Sequence, residues 1–213
     1  NNTAVGYKSL RGNTTGTNNT AIGANSLDAC TTGSSNTAVG QDALGAATEA
    51  SNNTAVGVQS LDAVTTGGDN TAIGKGALTS LTTGTQNQCL GVNAGVNLTT
   101  GGLNTAIGAF ALGTCVSGGS NVAVGHDALL NTTSSNNTAV GHESLESNSS
   151  GSGNAAFGYR ALQKNTTASN NSAFGIEALE QNTTGAENVA FGAFSLDANT
   201  EGDNNSALGF AAL

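Results

Sequence analysis

The sequence predicts an all-β solenoid, a parallel β-roll or β-helix of thirteen 17-residue coils. Three observations carry that reading: a motif beginning N-T-A-V-G that returns at a fixed period, a glycine present in every copy, and a composition dominated by small residues. Counting from Asn2, the motif restarts at Asn19, Asn36, Asn53, Asn70, Asn87, Asn104 and Asn121, each step being 17 residues. One step of 16 reaches Asn137, and steps of 17 resume through Asn154, Asn171, Asn188 and Asn205. The array covers residues 1–213 as a single unit. Periods of this kind signal repeat architectures, but 17 residues are too few for the two helices of an α-solenoid repeat. One such unit buries too little surface to offset its chain entropy, whereas stacked copies cover one another.

With the motif Asn as position 1, the consensus is N-T-A-V-G-x-x-A-L-x-x-x-T-T-G-x-x. Positions 2–5 read as a short strand. Position 4 is always apolar, and position 5 is Gly in all thirteen copies from Gly6 to Gly209, a corner that needs positive φ or close backbone approach. Positions 8 and 9 (Ala or Ser, then Leu except for Gly95) read as a second extended piece or a single turn. T-T-G is a looser corner, because Ala50, Ser134 and Ala168 replace its glycine. An Asn at one place in every coil suits a ladder of side-chain amides along the axis. At about 4.8 Å per coil, thirteen coils make a rod on the order of 60 Å long.

The charged residues form an independent pattern. Six of nineteen occupy position 7 (Lys8, Asp42, Asp127, Glu143, Arg160, Glu177) and six occupy position 10 (Arg11, Asp28, Asp62, Glu146, Glu180, Asp197). None falls at positions 1–5, 8, 9, 12, 13 or 15. Unpaired charge is costly to bury, so positions 7 and 10 are expected to face water and most of the empty columns to turn away from it. The 16-residue step is expected to lose its residue around Leu130–Asn131. Neighbouring strand residues point to opposite faces, yet positions 3 and 4 are both apolar, as are 8 and 9. Three readings stand: both faces of the coil are covered, by its own core and a partner; position 3 is Ala because an outer face must be flat; or one pair lies in a turn whose neighbours both dip inward.

Composition excludes several classes. Ala, Gly, Thr and Asn supply 121 of 213 residues, Pro, Met and Trp are absent, and 9% of residues are charged. Without Pro there is no collagen or PxxP segment, and no apolar run approaches the ~20 residues of a membrane span. Five Lys and Arg against fourteen Asp and Glu argue against a nucleic-acid surface. The missing initiator Met, and ends that fall partway through a repeat, predict a piece of a longer fibre.

The strings NNTAVG and SNTAVG resemble the N-S-V-A-I-G repeat of the head domains of trimeric autotransporter adhesins. Longer ones, such as NTAVGYKSLRGNTTG and NAAFGYRALQKNTTA, are similar to the NTAVGYQAL-type repeats of phage tail fibres. The resemblance spans all thirteen repeats. It implies parallel β-rolls assembled as homotrimers, on a cell surface or virion.

No enzymatic constellation is visible, and no catalytic, cofactor-binding or metal site is assigned. His126 and His142 share position 6 of consecutive coils, where stacking brings their rings within about 5 Å. A metal pair is one reading of them, a wet decoration column the other. Cys30 and Cys115 share position 12 but lie five coils apart, roughly 24 Å, too far to bridge. With Cys89 at position 3 they read as small core thiols. The Ca²⁺-binding G-G-x-G-x-D pattern is absent. Thr at positions 13 and 14 raises ice binding against hydroxyl ladders at a corner. Sequons occur at position 12 (Asn13, Asn131, Asn148, Asn165, Asn182) and position 17 (Asn18, Asn52, Asn136, Asn170, Asn204), so glycan decoration is a further reading. The expectation is a non-enzymatic structural fibre segment of an extracellular or virion appendage, with other copies of itself as principal partner, no cofactor, and no nucleic acid or membrane insertion. A host-surface glycan or protein is a further candidate partner. A self-polymerising filament subunit and an ice- or glycan-binding solenoid are the alternatives.

Overall fold

The computed structural model describes residues 1–213 and is all-β, without helices. Each repeat contributes one three-residue strand, from β1 (Thr3–Val5) to β13 (Ser206–Leu208), and all thirteen lie parallel, in chain order, in one sheet. This is the predicted β-solenoid. Register is constant: Ala21 pairs with Ala38 and Ile22 with Val39, and across the short step Val122 still pairs with Thr138.

The strands are short because the chain must turn at position 5. There φ lies between +127° and +143°, a region open to glycine. A Cβ on Gly6 would also lie 2.5 Å from the carbonyl oxygen of Gly23 in the next coil. Both reasons for the glycine apply together. The T-T-G glycine is as closely approached by the next coil, a Cβ on Gly33 colliding with the Ala50 carbonyl oxygen, but it lacks positive φ, and it is here that Ala50 and Ala168 stand in for glycine.

The two apolar pairs behave differently. In the strands, position 3 points inward and position 4 outward: Ala21, Ala38 and Ala55 are fully buried, whereas Ile22, Ile73 and Ile107 are each 40% exposed. The expectation that Ala serves a flat outer face is therefore corrected, because Ala lines the narrow interior. Positions 6–11 form a turn in which 8 and 9 both face inward. The turn places position 7 (Asp42, φ +55°) and position 9 (Leu44, φ +53°) in the left-handed region. A leucine there is unusual and costs on the order of 1 kcal/mol. Its complete burial contributes about 1.5–3 kcal/mol, so the Leu column outweighs the strain it carries.

Coil 6 joins two exceptions that look unrelated in the sequence. Cys89 replaces the position-3 alanine and Gly95 the position-9 leucine. A Cβ on Gly95 would meet Cys89 Sγ at 3.0 Å and Leu78 Cδ2 at 3.0 Å. The larger inward side chain at position 3 thus takes space that a leucine vacates.

The short coil loses its residue elsewhere than expected. Leu130 and Asn131 remain in the turn, and Thr132 occupies the inward position 12, fully buried. The Thr133 N–H donates to Ser149 O at 3.0 Å, as position 13 does in other coils, and Ser134 O accepts the Asn121 amide like a corner residue. Position 14 is the one missing, at the T-T-G corner, where the chain already faces outward and shortens without moving a core residue.

Replacing Gly57 by Ala should cost several kcal/mol in urea unfolding, through strain and backbone collision. Gly33→Ala at the T-T-G corner should cost less than Gly57→Ala, because it meets similar backbone crowding without the φ strain. Excising residues 70–86, one whole coil, should preserve cooperative unfolding and β-type circular dichroism.

Candidate functional site

Two internal ladders fix where every side chain on the outside lies. In the first, the position-1 Asn of each coil bridges three partners. Asn104 Nδ2 donates to Gly118 O at the corner of its own coil (3.0 Å) and to Asn87 Oδ1 (3.0 Å), its main-chain N–H also reaches Asn87 Oδ1 (3.1 Å), and its own Oδ1 accepts the Asn121 N–H (3.0 Å). The predicted amide ladder exists, and its oxygens accept main-chain N–H groups as well as amides. A second ladder, not anticipated, occupies position 12 near the C-terminus. There Asn165, Asn182 and Asn199 donate in turn to Asn148, Asn165 and Asn182 at 2.9, 3.0 and 2.8 Å. In coils 2–7 the same position is apolar, from Cys30 to Cys115. The recurring Asn at 148, 165, 182 and 199 was the available signal, obscured by its reading as sequons.

That ladder decides between the sequon columns. Asn148, Asn165 and Asn182 are fully buried, so a glycan cannot sit on them in the folded chain. The position-17 residues Asn18, Asn52, Asn136, Asn170 and Asn204 are exposed. Asn131 falls at position 11 once the missing residue is placed at the corner, and is exposed too.

Threonine at position 13 uses its hydroxyl internally: Thr14 Oγ1 donates to Thr31 O at 2.9 Å, and Thr183 Oγ1 to Thr200 O at 2.9 Å. These are hydroxyl ladders at a corner, so the position-13 hydroxyls are not free donors for ice.

His126 and His142 stack as the spacing requires, with centroids 5.3 Å apart and planes 11° from parallel, and Tyr159 continues the column at 5.7 Å. Each Nδ1 faces the carboxylate beside it in sequence: Asp127 at 2.9 Å and Glu143 at 3.5 Å. No group of three or more His, Cys, Asp or Glu side chains is placed to hold an ion. Apart from the exposed Lys8 and Arg11 of the first coil, the position-7 and position-10 charges are half-covered by neighbouring coils rather than freely solvated. Glu143 takes the Arg160 Nε at 2.6 Å and shares the Gln163 amide with Glu146, and that hydrogen bond raises the Arg160 pKa. A cleft between the two columns gathers Lys8, Asp28, Asp42 and Asp62. Burial, then the Asp42 carboxylate, push the Asp62 pKa up.

The three cysteines are buried free thiols. Burial raises the pKa of all three, that of Cys89 to about 12.

The exposed sheet face is the largest feature that the charge pattern misplaced. Position 4 forms an outward apolar column from Val5 to Leu208, with Phe157, Phe174 and Phe191 stacked at 4.8 and 5.4 Å. Position 2, mostly Thr, lies on the same face. These two columns hold no charge yet meet solvent, exceptions among the uncharged columns, most of which turn inward as expected. A strand's alternation forces one of positions 3 and 4 outward, so the absence of charge reflects the character of that face.

Comparison with known proteins finds no match among family models, curated proteins or solved structures.

Asn104→Ala strips a corner carbonyl and a neighbour's N–H of their partners. At about 1–3 kcal/mol for each buried unsatisfied group, equilibrium unfolding should show a loss of about 2–6 kcal/mol, with Asn104→Asp failing to restore it at neutral pH. The thiols predict a pH dependence with one sign. Below pH 9.0, the ordinary thiol value, folded and unfolded chains bind the same protons. Above it the unfolded chain ionises first, so stability should fall as pH rises from about 9 toward 12. In native protein, alkylation of all three should be blocked, with complete labelling in denaturant.

Proposed function

We propose that this chain is a structural, non-enzymatic segment of an extracellular or virion fibre, an adhesin-like or tail-fibre-like shaft. The observation that carries this reading is the continuity of its bonding: every coil from the first to the thirteenth is tied to the next by main-chain ladders and by the position-1 asparagines. Load along the axis is then shared among many parallel hydrogen bonds per coil, as a shaft requires. The resemblance of NTAVGYKSLRGNTTG-like strings to surface-fibre repeats points the same way. Columns 6, 7, 10 and 11 vary from coil to coil, and they present the acidic, mixed-polarity surface available to a host glycan or protein.

Antibodies raised against the variable columns should, in immunogold electron microscopy of intact source cells or particles, decorate extended surface filaments. Label confined to the interior of cells would contradict the reading.

A further inference from the structure

At the T-T-G corner, position 13 ties each coil to the next in two ways. Its main-chain N–H and its hydroxyl both donate to the position-13 carbonyl of the following coil. Thr99 reaches Val116 O in this way at 2.8 and 3.0 Å, and Thr166 reaches Thr183 O at 3.0 Å through both groups. The pair of bonds recurs at every junction that includes this corner, except the one between coils 7 and 8.

Both sides of that junction are altered. Val116 stands where every other coil has Thr or Ser, so it has no hydroxyl to give. Coil 8 lacks position 14, and on its shortened corner Thr133 O receives no donor. Neither the Val116 N–H nor the Ser117 N–H has a partner elsewhere in the chain. The interior changes at the same place, since position 12 is apolar up to Cys115 and polar from Thr132 onward. Cys115 Sγ donates to Gly118 O of its own coil at 3.8 Å. Thr132 Oγ1 pairs with Ser134 Oγ at 3.0 Å and accepts from Asn148 Nδ2 of coil 9 at 3.2 Å. No hydrogen bond joins Cys115 to Thr132.

Around the rest of the coil the junction is closed. The strands β7 (Thr105–Ile107) and β8 (Val122–Val124) pair in register, and the Asn121 N–H reaches Asn104 Oδ1 at 3.0 Å. On the turn, the Thr114 N–H and hydroxyl both donate to Leu130 O, at 2.8 and 2.9 Å. Beyond the corner, the Gly119 N–H meets Ser135 Oγ at 3.0 Å. The break is therefore confined to one edge of the coil, with bonded chain on either side of it. Local opening is drawn to the places where the fewest bonds must be broken. Two coils held everywhere except along one edge part at that edge and pivot on what remains.

We propose that the rod has a hinge between coils 7 and 8, opening at the corner formed by residues 115–118 and 132–134, with the paired strands as its pivot. The rod then bends with this corner on its outer side. Its use as the bend point of a shaft rests on the fibre reading, but the opening itself does not.

Pulsed electron–electron double resonance on the full chain tests this by comparing two equal spans. Position 14 is exposed at Thr32, Thr83, Thr100 and Ser150, and none of these side chains bonds to another coil. Nitroxides on Thr83→Cys with Ser150→Cys straddle the junction. Those on Thr32→Cys with Thr100→Cys cover the same four coil steps, about 19 Å, without it. The native thiols are buried. Only the straddling pair should show a second population, displaced to longer distance by about one coil spacing, roughly 5 Å, because its labels sit on the opening edge. Val116→Thr, together with one threonine inserted after Thr133, restores the missing groups and should remove that population. Alike distributions for the two pairs, narrow or broad, would overturn the proposal, as would a displaced population that persists in the repaired chain. Alike distributions in a chain whose source filaments still label with gold would remove the hinge and leave the fibre reading intact.

Discussion

A 17-residue coil satisfies only a few of its own main-chain groups, and the rest of the structure follows from that constraint. Within a coil only two or three turn contacts form, from Leu98 N–H to Gly95 O at 3.0 Å to Ser26 N–H to Gly23 O at 3.5 Å. Between coils the contacts are short: Thr20 N–H to Asn36 O and Gly23 N–H to Val5 O, both at 2.8 Å. Each backbone group therefore depends on the coil above or below, and the coils must superpose. The position-1 asparagine closes the gap that this leaves. Where the strand meets the corner, no carbonyl of the next coil is placed to receive the Asn N–H, and the side-chain oxygen of the preceding Asn takes it.

Superposition then dictates the choice of residues column by column. Position 5 combines close stacking with positive φ, so glycine stands there in every coil, whereas the T-T-G corner, as closely stacked but without positive φ, accepts Ala50 and Ala168. The interior is only one side chain deep, so Ala stands opposite Leu, and enlarging one inward residue requires shrinking another, as Cys89 and Gly95 do. Position 12 shows that the interior need not be apolar. Buried amides satisfy one another in Asn148, Asn165 and Asn182 as effectively as Leu81 and Leu98 pack, because stacking supplies each amide with a partner of the same kind.

The period, the strand, the glycine corner and the amide ladder were all legible in the sequence, because stacking in register converts a spatial column into a sequence column. What lay beyond reach was orientation within the turn. Left-handed conformation at Leu44 leaves no compositional mark, since leucine rarely adopts it. Without that knowledge Ala-Leu and Ala-Val look alike, although one pair points wholly inward and the other divides between the faces. Charge was a one-sided guide for a related reason: it marks wet columns, but its absence at position 4 marks an uncharged face and not a buried one. The missing residue of coil 8 was misplaced because Asn131 imitates the asparagines of position 12, while Thr132 is the residue turned inward.

The claim on which everything else rests is that coil-to-coil bonding extends beyond the strands into the asparagine ladder, and native-state hydrogen exchange tests it most directly. The main-chain amides of Asn36 through Asn188 lie outside any strand. They should nevertheless exchange as slowly as the neighbouring strand amides, with protection falling off only toward the terminal coils. Exchange at the rate of open-loop amides, beside protected strands, would contradict the account.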